Sequence, residues 1–288
     1  MTDYYKGFDF RQAESLINLA LKEDKGTGDV TSNLLIPAKK NSVAEVLVKE
    51  SCVSAGLRIF KMVFAAIDAR IRVTFFVGEG ERVRKGQVIG EVCGNTRNIL
   101  LGERLALNLL QRMCGIATGT NELVRKLGNP EIRIIDTRKT TPNMRLFEKL
   151  AVKIGGGENH RMGLYDMMLI KDNHIEASGG IEGALRKLKA GKKKALPVEI
   201  EVKDLDELRI VAESGKVLVD RVMLDNFQPA DLKEARRSCG GMFEVEVSGG
   251  INSKSISKYK KFSGIDFISV GALTHSARSV DISLDFIT

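Results

Sequence analysis

The apolar positions of this chain follow two different periods. Residues 10–24, FRQAESLINLALKED, place Leu16, Ile17, Leu19, Ala20 and Leu21 on or near one helical face, which predicts an amphipathic helix. Gly26 and Gly28 in DKGTGDVTS then break it. Residues 42–56, SVAEVLVKESCVSAG, and 70–94, RIRVTFFVGEGERVRKGQVIGEVCG, read as β-strands. Residues 98–128 return to helical composition, apolar with Glu103, Arg104, Gln111 and Arg112 interspersed. Charges on such a helix usually sit at its rim. The chain up to about residue 115 is thus mixed α+β.

From about residue 130 the pattern changes. Short apolar runs recur, each ending in polar or glycine residues: IRIID before TRK (132–139), MMLI before KDNH (167–174), PVEI before EVK (197–203), RVML before DN (221–226), FEVEV before SGG (243–250) and DFISV before GA (266–272). Helical patterns lie between them, such as GGIEGALRKLKAG, DLDELRIVAESG, QPADLKEARRSCG and SKSISKYKKFSG. This alternation predicts parallel strands. Six of them suit either an incomplete β/α barrel or an open doubly wound sheet; the absence of GxGxxG after a first strand counts against dinucleotide binding. A barrel carries its chemistry at the C-terminal strand ends. Those ends hold Arg138, Lys139, Lys171, Asp172, Asn173, His174, Glu201, Asp225, Asn226, Ser248, Gly249, Gly250 and Gly271.

Composition narrows the function. With 288 residues, 43% hydrophobic and 28% charged, the chain is ordinary globular material. No apolar run approaches the ~20 residues that span a bilayer. The opening MTDYYKGFDF lacks a charged, apolar leader, so a cytoplasmic protein is expected. Cys52, Cys93, Cys114 and Cys239 are scattered without a CxxC pair, which predicts free thiols and no zinc site. The net charge of +8 suits either nucleic acid or an anionic small molecule. No Trp and four Tyr leave few stacking platforms for nucleic acid. The basic run KLKAGKKKA (187–195) is expected as a solvated loop. VGEGERVRKGQVIGEV resembles half of a lipoyl or biotinyl carrier module but lacks the tip lysine, so it reads as a β substructure only.

The segment 136–174 crowds Arg138, Lys139, Arg145, Lys153, His160, Arg161 and Lys171 together. Arginine forks match carboxylates, and so many cations at one barrel mouth repel one another without an anion. A substrate with several negative groups is expected. Glu201 and Asp225 end neighbouring strands and suit either Mg²⁺ or partnership with the lysines. Ser248, Gly249, Gly250 and Gly271 form a candidate phosphate cradle after the last two strands, with His275 as a further donor.

The segments DTRKTTPNMR, EKLAVKIGGGENHRMGLYDMMLIKDNH, VEIEV, MLDNF, EVSGGI and DFISVGALTHSARSVDISLDF resemble the quinolinate phosphoribosyltransferase family, and ERLALNLLQRMCGIAT and LALKEDKGTGDVTS are similar to the same family. The resemblance runs from about residue 19 to the C-terminus. It implies a sandwich-like α+β domain over residues 1–116, to which residues 276–288 return, and an incomplete, about six-stranded α/β barrel of the type II phosphoribosyltransferase kind over 117–275. It implies transfer of phosphoribosyl from phosphoribosyl pyrophosphate (PRPP) to quinolinate with loss of CO₂, giving nicotinate mononucleotide for NAD synthesis. It implies a homodimer in which Arg104 crosses from the partner subunit to join Arg138, His160, Arg161 and Lys171 around quinolinate. Lys139, Glu201 and Asp225 then fall around PRPP and its Mg²⁺, and Ser248, Gly249, Gly271 and His275 at the 5′-phosphate. No organic cofactor is expected, because the pyridinium product of transfer is itself an electron sink. No nucleic-acid or membrane partner is expected either. Two departures stand out: Cys114 replaces the family's common serine, and ESGKVLVDRVMLDN is a few residues longer than usual. The nearest rival is a related phosphoribosyltransferase acting on another anionic ring, or a molybdenum-associated paralogue of the same fold; the cluster Arg138, His160, Arg161 and Lys171 favours a dicarboxylate.

Overall fold

The helical face expected over residues 10–24 forms α1 (Phe10–Lys25), which Asp9 caps by accepting the Gln12 N–H and which buries Ala13 and Ile17. It opens the first of two compact units in this computed structural model, which describes residues 3–191 and 196–287. There follow α2 (Val30–Leu35), β1 (Asn41–Val48), β2 (Cys52–Val53), α3 (Leu57–Ile67), β3 (Arg72–Phe75), β4 (Arg82–Val83), β5 (Val88–Asn95) and the long α4 (Thr96–Leu127). The sheet of this unit is antiparallel in the order β12-β1-β5-β3, with the C-terminal strand β12 (Ile282–Ile287) on its edge. The stretch that resembles half a carrier module supplies β4 and β5, and β5 pairs with β1 and β3 within this sheet. α3, which the strand pattern around it conceals, buries Phe60 and Phe64 and sets Phe60 edge-on to Phe75 of β3.

The first unit also gathers residues Thr140–Gly156, which contain α5 (Arg145–Ile154), and the residues from Leu273 on. The division therefore falls at Asn121 within α4, at Gly156 and at Leu273, where the sequence places it at 116/117 and 275/276. The physical cause is a tight packing of α5 on α4. The Ala117 carbonyl stands 2.5 Å from where a Cβ on Gly155 would lie. Arg112 of α4 meets the fully buried Glu148 of α5 at 2.8 Å and donates to the Thr274 and Ala277 carbonyls. Arg112 is thus a structural tie; truncating it would strand a buried carboxylate, at a cost of roughly 3–5 kcal/mol.

The second unit holds β6 (Arg133–Ile135), β7 (Met168–Ile170), α6 (Asp172–Ser178), α7 (Gly180–Gly191), β8 (Val198–Val202), α8 (Leu205–Ser214), β9 (Arg221–Asp225), α9 (Leu232–Cys239), β10 (Glu244–Ser248) and β11 (Phe267–Ser269). The four-residue α10 (Ala272–His275) follows across the division. Its sheet is parallel throughout, in the order β6-β11-β10-β9-β8-β7. The six expected strands are these six. Thr137 beyond the β6 edge and Leu169 on the β7 edge line one and the same cavity, so the sheet curls toward a barrel that the two edges leave open.

Two expectations are corrected. SKSISKYKKFSG contains only a single 3₁₀ turn, Ile256–Tyr259, too short to cover the sheet as a helix does. The basic run read as a loop over 187–195 instead closes α7 up to Gly191, and residues 192–195 lie outside the described residues. Among the described residues no helix is long and apolar enough to cross a membrane, and all four cysteines are free.

Candidate active site

Side chains on a strand alternate between faces, so β8 (VEIEV) and β10 (EVEVS) each send glutamates in one direction and valines or isoleucine in the other. The register aligns Glu199 of β8 with Arg221 of β9, Arg221 with Glu244 of β10, and Glu246 with Phe267 of β11. The interior of the curled sheet is consequently charged. The Phe267 ring lies between the Arg221 and Arg133 guanidiniums, 3.7 and 3.9 Å from its centroid. Arg221 bonds Glu244 at 2.9 Å and reaches Glu246 at 3.4 Å.

Above this layer opens a cavity of about 130 Å³, lined at the strand ends by Arg138, Lys139, His160, Arg161, Lys171, Ser248 and Ser269, with Glu246 and Met223 below. Five of the residues expected at quinolinate or pyrophosphate, which span positions 138–171 in sequence, thus converge on one space. Arg161 is buried, its Nη1 donates to the Met167 carbonyl at 3.1 Å, and its Nε has no hydrogen-bond partner among the described residues. Burial first, and then the Arg138 guanidinium, lower its pKa from the ordinary arginine value. Two guanidiniums that oppose each other's charge across so small a cavity call for an anion.

Lys171 ends β7 and makes a 3.0 Å ion pair with Glu201, which leaves β8 on the interior face. Asp225 ends β9 beside Ser248 of β10 and accepts from the Asn226 side chain at 2.7 Å. Asn226 has a positive φ of 57°, and its backbone N–H donates to the Ser248 carbonyl. Gly249 follows with φ 109°; a Cβ there would meet the Asn226 Oδ1 at 2.1 Å. The close approach of these two turns explains the glycine on packing grounds and leaves its backbone open to a ligand. Gly250 has φ 58° and open space where a Cβ would stand, and Gly271 follows β11 after Val270. His174 turns back to accept the Lys171 N–H at 3.0 Å and so caps α6.

Two expected site residues belong to the first unit. Arg104 is exposed on α4, and His275 is exposed with its Nδ1 2.6 Å from the Ser276 hydroxyl.

His160 lines the cavity, and its imidazole is held from within the protein. Its Nδ1 accepts the backbone N–H of Arg161 at 2.8 Å, and its Nε2 lies 2.8 Å from Glu199 Oε2 and 3.6 Å from Glu246 Oε2. Both ring nitrogens thus have partners within the protein. Glu199 and Glu246 were not singled out in the sequence, although alternating glutamates within two buried strands, VEIEV and FEVEV, are a signal that could have found them. Both are completely buried. Burial and then the neighbouring Glu199 push Glu246 up to about 8, and burial likewise raises Glu199. The ligand atoms of His160, Glu199 and Glu246 lie within 4.8 Å of one another, a spacing that could hold a metal. The His160 ring and the Arg221 guanidinium serve the Oε2 atoms of the two glutamates, while both Oε1 atoms are buried without a hydrogen-bond partner among the described residues.

Comparison with known proteins identifies the family. A sequence model described as quinolinate phosphoribosyl transferase, N-terminal domain, matches residues 29–114, and the corresponding C-terminal domain matches residues 116–285. A Nicotiana tabacum protein named quinolinate phosphoribosyltransferase (decarboxylating) 2b, mitochondrial, is 42% identical over 287 residues, covering 94% of this chain and 81% of its own. A Bacillus subtilis protein named probable nicotinate-nucleotide pyrophosphorylase (carboxylating) is 40% identical, covering 95% of this chain and 93% of its own. The solved nicotinate-nucleotide pyrophosphorylase of Francisella tularensis superposes with a TM-score of 0.90 at 38% identity and covers both chains fully.

Proposed function

The chain belongs to the quinolinate phosphoribosyltransferase family, and from that membership we propose that it joins quinolinate to PRPP and releases CO₂ and pyrophosphate, giving nicotinate mononucleotide for NAD synthesis. The observation that carries this reading is the convergence of Arg138, Lys139, Arg161 and Lys171 on one small cavity. Such a set of cations suits a planar ring bearing two carboxylates.

In this reading Arg138, Arg161 and Lys171 hold the two carboxylates and direct the ring nitrogen at C1 of the sugar. The nitrogen–C1 bond forms as the bond to pyrophosphate breaks, and Lys139, exposed at the strand end, offsets the charge on the leaving group. The pyridinium then accepts the electron pair of the bond between C2 and its carboxylate; CO₂ departs and a proton takes its place. Ser248, Gly249, Gly250 and Gly271 receive the 5′-phosphate. Glu201 and Asp225 place hard carboxylate oxygens at the ends of neighbouring strands, a donor set that fits Mg²⁺. The ion would neutralise charge gathering on pyrophosphate. Positioning and electrostatics of this kind supply several kcal/mol each, typically about 2–4 kcal/mol per donor. We further propose a cytoplasmic homodimer in which Arg104 completes the quinolinate site of the partner subunit.

The deciding experiment supplies the protein with quinolinate, PRPP and Mg²⁺, with nicotinate in a parallel reaction, and measures CO₂ and nicotinate mononucleotide. Both products from quinolinate alone support the reading; product from nicotinate alone overturns its specificity. Mixing Arg104→Ala with Arg161→Ala subunits tests the shared site: recovery of activity on mixing supports it, and none counts against it.

A further inference from the structure

We propose that Glu199 and Glu246, inside the curled sheet, are positioning residues for the guanidinium of Arg161, acting through the imidazole of His160. The proposal rests on the reading of Arg161 as a quinolinate ligand and names what holds that ligand in place.

The hydrogen-bond pattern fixes the chemistry of the ring. Backbone N–H groups only donate, so His160 Nδ1, 2.8 Å from the Arg161 N–H, carries a lone pair and no proton. The ring proton is then on Nε2, which points at Glu199 Oε2 at 2.8 Å with Glu246 Oε2 at 3.6 Å. His160 is therefore held as the Nε2–H tautomer, and the carboxyl pair defines how the ring is turned. The ring in turn sets the amide from which the Arg161 side chain departs. The backbone below is tied independently: Asp136 Oδ1 accepts the His160 N–H at 2.9 Å, and Asp136 Oδ2 accepts from the Asn159 side chain at 2.6 Å. Arg161 makes one side-chain bond to a carbonyl, at Nη1, and keeps its buried Nε without a partner among the described residues. A guanidinium with so few side-chain restraints depends on where its backbone begins. Arg221, 3.4 Å from Glu246 and stacked on Phe267, anchors the carboxyl pair from the opposite side. The chain of support thus runs from Phe267 and Arg221 through Glu246 and Glu199 to His160 and Arg161. Support behind a binding group matters because a misplacement near 1 Å can cost roughly a hundredfold in rate.

A residue that only stabilises the fold affects both substrates alike; a residue that positions Arg161 affects quinolinate. Glu199→Leu leaves the Nε2–H without an acceptor, and the quinolinate KM should rise roughly tenfold or more while the PRPP KM changes by less than about twofold. Glu199→Gln keeps an acceptor oxygen and should recover most of that loss. Equal rises in both KM values, or a Gln variant as impaired as the Leu variant, overturns the proposal. Where Glu199→Leu fails to fold, the unmodified protein decides. The chain has three histidines, so ¹⁵N long-range NMR of the ring nitrogens resolves His160, identified by its loss in His160→Gln. The Nε2–H tautomer supports the proposal, and an Nδ1–H tautomer or an imidazolium overturns it. This reading needs no turnover, so it separates failure of the positioning role from failure of the quinolinate assignment, which would appear as absence of product from the unmodified enzyme.

Discussion

Lys171 Nζ lies 3.0 Å from Glu201 Oε2, so the lysine proposed for a quinolinate carboxylate and the glutamate proposed for the sugar–pyrophosphate end are one ion pair. The lysine side chain is 45% exposed, so the pair contributes little to stability. With the roles proposed for them, the pair couples the two substrates through one contact. A double-mutant cycle with Lys171→Ala and Glu201→Gln, read as kcat/KM, is expected to be non-additive by about 0.5–3 kcal/mol. Strict additivity would mean that the two residues serve their substrates independently.

Arg138 and Arg161 line one cavity, and the Arg138 guanidinium adds to burial in lowering the Arg161 pKa. Arg138→Ala is expected to lower kcat/KM for quinolinate by roughly 10²–10³, or about 3–4 kcal/mol, while leaving thermal stability unchanged or slightly raised. The same logic predicts that quinolinate raises the melting temperature of the unmodified protein, and raises it less in the variant. A variant that melts well below the parent would show that Arg138 is a structural residue.

Much of this organisation was readable in the sequence. The six parallel strands announce themselves as short apolar runs with polar ends, and Arg138, Lys139, Arg161 and Lys171 stand where such ends deliver side chains to a common mouth. What was hidden depends on contacts distant in sequence. α5 follows a strand and looks like barrel material, yet the buried pairing of Glu148 with Arg112 carries it into the first unit. The partners of the His160 ring are hidden in the same way; one is the adjacent residue and the other, Glu199, is 39 positions away. Glu199 and Glu246 escaped notice because a buried parallel strand is expected to be apolar on both faces, although the alternation in VEIEV and FEVEV marks the interior as polar. The 3₁₀ turn at Ile256–Tyr259 was masked by an adequate helical period with too few apolar anchors.

The turn at Gly249 gives a prediction about backbone. Its φ of 109° is strained for any side chain, and a Cβ would lie 2.1 Å from Asn226 Oδ1 and 2.9 Å from the Asn226 Cα. Gly249→Ala must move the Asn226 turn, at a cost of about 1–3 kcal/mol, and that turn adjoins Asp225. The expected outcome is a lower melting temperature together with a raised PRPP KM and a quinolinate KM close to that of the parent. A loss confined to quinolinate would contradict the placement of the 5′-phosphate here.

Glu246 makes stability depend on pH in a direction opposite to that of a salt-bridged carboxylate. In the folded chain it keeps its proton to about pH 8, because burial and Glu199 both oppose its charge; in the unfolded chain a glutamate releases it near pH 4.3. Between those values the folded state binds more protons than the unfolded state, so unfolding becomes easier as pH rises. The contribution is complete below the unfolded value and is lost progressively up to about pH 8, at a slope of up to about 1.4 kcal/mol per pH unit. Glu199 shifts in the same direction and adds to the effect. Glu246→Gln, neutral at every pH, removes one of the two contributions, so the stability of the variant relative to the parent should climb from about pH 5 to about pH 8 and then level off. Urea denaturation midpoints across that range measure it directly. Parallel curves for the two proteins would show that Glu246 is ionised in the fold throughout, with Arg221 holding its full charge in the interior.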